Sequence, residues 1–144
     1  MPLDASLVGR TYPETEPYEV AREKVREFAV AVRQDPALDV APPTFPFVVA
    51  WRALAPLFGD PALDIALEQV VHGEQRFAMS RALAPGDRVT GTATVESVRA
   101  LGPAALVGVR VDLRAADGGE ALGSAWSSLV ISGPATRDTS PAGA

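Results

Sequence analysis

The sequence contains no cysteine. That absence excludes disulfide bonds, thiol nucleophiles and cysteine-ligated zinc together. Histidine occurs once, as His72. The chain also lacks a long uninterrupted apolar run, because the stretch from Phe45 to Phe58 contains two prolines and Arg52 and is shorter than the roughly 20 residues of a membrane span. We therefore expect no metal, no cofactor and no membrane partner.

Positive charge is scarce as well. The sequence has 13 lysines and arginines and 18 acidic residues, which gives a net charge of -5. Lys24 is the only lysine. The cations are interleaved with acidic residues instead of being clustered, which argues against a nucleic-acid partner. The first residues show no basic segment followed by an apolar one, so no signal peptide is visible. We expect a cytoplasmic protein.

Length and composition favour a single folded unit. A chain of 144 residues with 47% hydrophobic residues can bury a stable core without disulfide bonds. We assign residues 1–132 to one domain. The segment Gly133–Ala144 is rich in glycine, proline, serine and threonine, which predicts a disordered tail.

Two helices are predicted in the first half. The first spans Ala21–Arg33 and ends before Pro36, with an apolar stripe at helical spacing. The second spans Phe45–Leu57, with Thr44 as its N-cap, Pro46 in its first turn, and Pro56 and Gly59 ending it. Because this second helix is apolar on nearly every side, we expect other structure to wrap around it.

The second half predicts antiparallel strands. Residues alternate between apolar and polar within the segments Val70–Ser80, Arg88–Val98, Ala104–Arg114 and Ala121–Ser132. The turns fall at Gly86-Asp87 and Asp117-Gly118. Strict alternation in the first strand places His72 on the face opposite Phe77 and Met79. The pattern indicates an α+β domain with an antiparallel sheet wrapped around a buried apolar helix, although other α+β layers would satisfy it too.

Four blocks carry a resemblance to a known family. The chain resembles the N-terminal domains of MaoC-like dehydratases, which have a single hot-dog fold and act on 3-hydroxyacyl thioesters of CoA or acyl carrier protein. In particular it is similar to small proteins of that family that resemble the non-catalytic, acyl-chain-binding subunit of R-specific 3-hydroxyacyl-ACP dehydratases. The blocks are LVGRTYPETEPYEVAREKVREFA from Leu7, APPTFPF from Ala41, VVHGEQRFAMSRALAPGDRV from Val70, and AWSSLVI from Ala125.

The chain departs from that family's catalytic pattern between the two helices. Active R-specific hydratases carry an Asp and a His about five residues apart in a Gly-Asp-x-Asn-Pro-x-His context. Here only RQDPALDVA remains, in which Asp35 is a loose match and no histidine follows. Hydration beside a thioester carbonyl needs a positioned acid or base and donors for the enolate oxygen. Amides near Thr44 and Phe45 are candidates for the donors, but no acid–base pair is evident.

Each candidate residue also has a structural interpretation. His72 is expected to be a structural or interface histidine, and Asp35 a solvated loop carboxylate; both remain weak catalytic candidates. Thr44, Phe45, Phe47 and Trp51 are the candidate substrate-binding residues, although Trp51 also suits helix packing. Arg52 is expected either to extend its charged end into water or to pair with a carboxylate. Binding of an anionic ligand by Arg52 is the less favoured alternative. Trp126 belongs either to the core or to an interface.

The leading hypothesis is a non-catalytic subunit that supplies acyl-chain surface and half of a dimer to a catalytic hot-dog partner. Two alternatives stay open. One is a stand-alone homodimer that binds an acyl thioester or has a structural role. The other is a hot-dog thioesterase that uses a carboxylate such as Asp35 or Glu74. We further expect Phe45 and Phe47 to fill the mouth beside the buried helix, because the shortened connector brings Pro42-Pro43 close to it.

Overall fold

The computed structural model describes residues 3–132, so the predicted tail at 133–144 lies outside the described residues. A five-stranded antiparallel sheet has the order β1-β3-β4-β5-β2. The strands are β1 (Tyr18–Glu19), β2 (Val70–Met79), β3 (Arg88–Leu101), β4 (Ala104–Ala115) and β5 (Ala121–Ser132), and the helices are α1 (Arg22–Ala31) and α2 (Phe47–Phe58). No helix within residues 3–132 has the length and apolar character needed to cross a bilayer.

Helix α2 packs closely on the sheet because the residues between them are small. A side chain at Gly91 of β3 would lie 3.3 Å from Cβ of Ala53 and 3.2 Å from Cγ1 of Val111. The inner stripe of α2 is completely buried, and it includes Val49, Ala53 and Leu57. The predicted arrangement of a sheet around an apolar helix is therefore present.

Three predictions about the helices are wrong. Helix α1 ends at Ala31, two residues before the predicted Arg33, and the left-handed φ of 59° at Arg33 turns the chain before Pro36 is reached. Helix α2 continues through Pro56 to Phe58, because a proline near the C-terminal end removes only one hydrogen bond, and Gly59 is its C-cap as predicted. Helix α2 is also not wrapped on every side, since Trp51 is 49% exposed.

The N-terminal segment covers one edge of the sheet. The amides of Gly9, Tyr12 and Thr15 donate to the carbonyls of Val95, Ala93 and Gly91 along β3. Strand β1 continues this pairing through Tyr18 opposite Val89 and Glu19 opposite Arg88. The opposite edge, formed by β2, has no backbone partner on its outer side within residues 3–132.

A side-chain cluster attaches the covering segment to the end of α2. Asp60 accepts hydrogen bonds from Tyr12 Oη at 2.8 Å and from Arg10 Nε at 2.7 Å. Its other oxygen accepts the amide of Ala62 at 2.9 Å. Burial, followed by the hydrogen bond to Asp60, raises the pKa of Tyr12 to about 12. Tyr12 therefore stays protonated and keeps donating at neutral pH.

The variant Asp60→Ala is expected to melt at a lower temperature than the parent, because it leaves the hydroxyl of the buried Tyr12 without its acceptor. The hydrogen bond from Tyr12, then the Ala62 amide, and Arg10 lower the pKa of Asp60 below the usual 3.8. A depressed carboxylate pKa stabilises the fold above the unfolded value, and this stability is lost as the pH falls through the folded value. The difference in melting temperature should therefore shrink below about pH 4. Asp39→Ala, at an exposed connector residue, is the matched control; an equal effect of both variants would refute the role of Asp60.

Candidate functional site

A bulge in β2 decides where the only histidine lies. The pairing with β5 shifts between His72, opposite Leu129, and Glu74, opposite Ser128, so Gly73 is an extra residue. Alternation restarts after the bulge. As a result His72 lies on the same side of the sheet as Phe77 and Met79, next to α2, and the predicted placement on the opposite face is wrong.

His72 is held by two contacts. Its ring stacks on Phe47 of α2, with the centroids 5.3 Å apart and the planes 23° apart. Its Nε2 lies 3.0 Å from Oε1 of Gln75, and the hydroxyl of Ser127 donates to the same oxygen at 2.5 Å. Because an amide oxygen only accepts, the imidazole donates this hydrogen bond from Nε2. Among residues 3–132 no carboxylate contacts this imidazole.

Asp35 lies in a different cavity. It lines a hollow of about 550 Å³ between the connector and the far end of β2, whose other walls include Leu38, Pro46, Phe77 and Met79. Its carboxylate accepts the Ala37 amide at 2.9 Å, an Asx turn. The structure therefore does not bring Asp35 and His72 to one site.

The turn before α2 also departs from the prediction. Thr44 is exposed and is not the N-cap, because the helix begins at Phe47 with Pro46 as its cap. The amides of Phe45, Phe47 and Val48 already donate to the carbonyls of Pro42, Thr44 and Phe45. These amides are consequently not available to an enolate oxygen.

The prediction that Phe45 and Phe47 both fill the space beside the start of α2 is correct for Phe45 only. Phe45 is completely buried and meets Phe28 edge-on, with the centroids 5.2 Å apart. Phe47 is half-buried and turns to the other side, towards His72 and Trp51. The hollow beside the connector therefore stays open.

An aromatic row runs along the uncovered side of α2. The ring of Trp51 lies 6.1 Å from that of Phe47 and 5.6 Å from that of Phe58. This row borders two cavities, of about 610 and 310 Å³, that share Phe47, Trp51 and His72. Trp126, by contrast, lies on the outer face of the sheet. Cζ of Arg76 lies over its ring, 5.0 Å from the ring centroid.

The arrangement offers apolar space and anchored polar groups, and residues 3–132 place no acid beside the imidazole as its partner. Within residues 3–132 no cluster of histidine, aspartate and glutamate side chains could hold a metal ion. Sequence reasoning missed Gln75 and Ser127, which fix the imidazole. The signal was Gly73, because an isolated glycine inside a strand indicates a bulge.

Residues 6–121 match the family model of the FAS1-like dehydratase domain region. The chain belongs to this family. This chain is 40% identical over 144 residues to the UPF0336 protein of Streptomyces coelicolor, an alignment that covers 90% of this chain and 95% of that protein. It is 45% identical over 134 residues to the UPF0336 protein of Cutibacterium acnes, with 90% and 94% covered.

Solved structures confirm the hot-dog fold of MaoC-like dehydratases. The C-terminally truncated HadBC complex of Mycobacterium tuberculosis, a 3R-hydroxyacyl-ACP dehydratase, matches with a TM-score of 0.71 and 28% identity over 88% of this chain and 99% of that one. A MaoC-like dehydratase matches with a TM-score of 0.76 and 26% identity over 90% of this chain, which corresponds to 43% of that longer chain.

Proposed function

We propose that this FAS1-like dehydratase chain is the non-catalytic subunit of a 3-hydroxyacyl-thioester dehydratase that works in the cytoplasm. The observation that carries the proposal is the separation of Asp35 from His72, each of which lines a different cavity. Dehydration needs an acid–base group at the reacting carbons, which contributes roughly 10²–10⁴ in rate. In this proposal the partner subunit supplies that pair.

The open hollow beside the connector is our candidate for the acyl chain. Its volume of about 550 Å³ is within the usual range of small-molecule sites, and most of its walls are apolar. Leu38 and Val40 of the connector are exposed hydrophobic residues on its rim. An acyl chain in the hollow would remove them from water, which is favourable.

The candidate surface for the partner is the free edge of β2. An uncovered edge strand pairs readily with another strand. Exposed hydrophobic side chains cluster beside it, namely Trp51, Leu67 and Val71. The similar HadBC chain belongs to a complex, which supports a partner of the same fold.

The pairing is tested by adding a charge to this edge. We expect the chain to be a dimer in solution at micromolar concentration, with itself or with a second hot-dog chain. Val71→Asp should dissociate it, because the strand interface would then bury an unpaired carboxylate. Val30→Asp on α1 is a matched control, since Val30 is 61% and Val71 63% exposed.

Size-exclusion chromatography with light scattering measures the result. A complex equally sensitive to both variants, or a parent that is monomeric alone and co-purifies with no hot-dog chain, would refute the β2 interface. Purification of the chain from its native host then separates the two assemblies. A co-purifying hot-dog chain that carries the Asp/His motif supports the proposal, whereas a pure homodimer supports the stand-alone alternative.

A further inference from the structure

We propose that the open hollow beside the connector admits straight acyl chains of at most about ten carbons, and that Met79 sets this limit. This inference rests on the proposed function and adds the length of the acyl group. One wall of the hollow follows β2 and the residues after it, from Phe77 through Met79 and Arg81 to Leu83. The opposite wall contains three prolines, which restrict how far it can move: Pro42, Pro43 and Pro46.

Main chain closes the far end of the hollow. The amide of Ala41 donates to the carbonyl of Leu83 at 2.7 Å, which joins the connector to the segment after β2. Both side chains are buried, with Ala41 4% and Leu83 1% exposed. Because a backbone hydrogen bond between buried residues is costly to break, an acyl chain cannot pass between the two walls at this point.

A charged group bounds the apolar surface before that closed end. Arg81 lines the hollow and donates two hydrogen bonds to Asp87, at 2.8 and 3.3 Å, and one to the carbonyl of Ala82 at 3.1 Å. These contacts hold the guanidinium in place. A methyl end placed against it would remove water from charged groups without replacing the lost hydrogen bonds, which is unfavourable. The favourable apolar path therefore ends at Arg81.

Met79 is the last residue of β2 and the last apolar side chain before Arg81. Together with Phe77 it packs against the core and also lines the hollow. Gly123 of β5 lies opposite Met79, and a Cβ atom at Gly123 would be 2.8 Å from the Met79 sulfur. The thioether thus occupies the space that this glycine leaves empty. Its removal would open room over β5 beside the end of the acyl path.

The length limit follows from the geometry of the strand. Arg81 follows Phe77 by four positions. An extended strand rises about 3.3 Å per residue, so the apolar wall between them is at most about 13 Å long. Carbon–carbon bonds of about 1.5 Å at angles near 111° advance an extended acyl chain by about 1.25 Å per carbon. The wall therefore accommodates about ten carbons.

The test measures the affinity of the full chain for straight-chain acyl thioesters of N-acetylcysteamine, from butanoyl to hexadecanoyl, by calorimetry. The thiol part is the same throughout the series, so differences in affinity come from the acyl chain. Each methylene buried along the wall should raise the affinity of the parent about fourfold. Beyond about ten carbons the affinity should stop rising, and this break reports the end of the hollow.

Substitutions at Met79 should move the break. Met79→Ala should shift it to chains at least about two carbons longer, because the space over Gly123 becomes available. Met79→Phe fills more of the hollow and should shift the break to shorter chains. Met79→Leu has a similar volume and should keep it. Phe77→Leu is the matched control, since Phe77 lines the same wall before Met79; it should change all affinities by one factor without moving the break. Melting curves verify that each variant is folded.

The proposal is overturned if the affinity of the parent keeps rising up to the hexadecanoyl thioester. It is also overturned if Met79→Ala and Met79→Phe leave the break where the parent has it, or if the parent binds no thioester of the series. None of these results decides whether the chain is a subunit of a dehydratase, because the Val71→Asp experiment and the co-purification test that assignment independently.

Discussion

Phe45→Ala is expected to destabilise the chain by about 3–5 kcal/mol. Phe45 is completely buried, and its ring meets Phe28 of α1 edge-on at 5.2 Å. Removal of the ring leaves a cavity between α1 and the start of α2, which the turn containing two prolines cannot easily close. Urea unfolding followed by circular dichroism measures the loss.

Phe47→Ala is the matched control, because it removes the same ring two residues away. Phe47 is half-buried and lines two open cavities, so its truncation leaves no enclosed void. We expect a cost of about 1–2 kcal/mol. A cost for Phe47→Ala equal to that for Phe45→Ala would mean that Phe47 belongs to the core, as the sequence had suggested.

The purified chain should not hydrate crotonyl-CoA or longer enoyl-CoA thioesters measurably. Without an acid–base pair, turnover should lie at least about 100-fold below that of an active hydratase. Loss of absorbance of the conjugated enoyl thioester provides the assay. His72→Ala should leave this background unchanged, because the imidazole is bonded to Gln75 and no carboxylate contacts it among residues 3–132.

The opposite result has a clear meaning. Robust turnover by the parent that disappears in His72→Ala would make His72 the base and would refute the non-catalytic assignment. Gln75→Leu is the informative companion variant, since it releases Nε2 while leaving the imidazole in place. Turnover that depends on both residues would assign catalysis to the triplet His72, Gln75 and Ser127.

The α+β hot-dog architecture could be predicted because it follows from local periodicity and from four matching blocks. The face of His72 could not, because one extra residue reverses alternation along a strand. Val71 shows the same effect: it is an even number of residues from Phe77, so strict alternation predicts that both lie on one face, yet Val71 is 63% exposed. A glycine in the strand indicates a bulge but does not give its register.

The environment of α2 was predicted wrongly for a different reason. A helix that is hydrophobic on every side is expected to be buried in the functional oligomer. Within the single chain, only the stripe of α2 that faces the sheet is covered. Exposed Trp51 is thus consistent with a partner that the sequence cannot specify. The sequence pattern could not give the first residue of α2 either. Thr44 is of a type that caps helices, but here it lies in a turn, three residues before the first helical residue, Phe47.

The covering of the β3 edge by residues 9–19 has a consequence for how far an assembly can grow. A sheet that is closed on one side can be extended on the other side only. Two such sheets joined through β2 would each present a covered outer margin, so the joined sheet ends after ten strands, five from each chain. In such a pair the N-terminal segments would lie along both outer margins of the joined sheet, away from the β2 edges that the pairing uses.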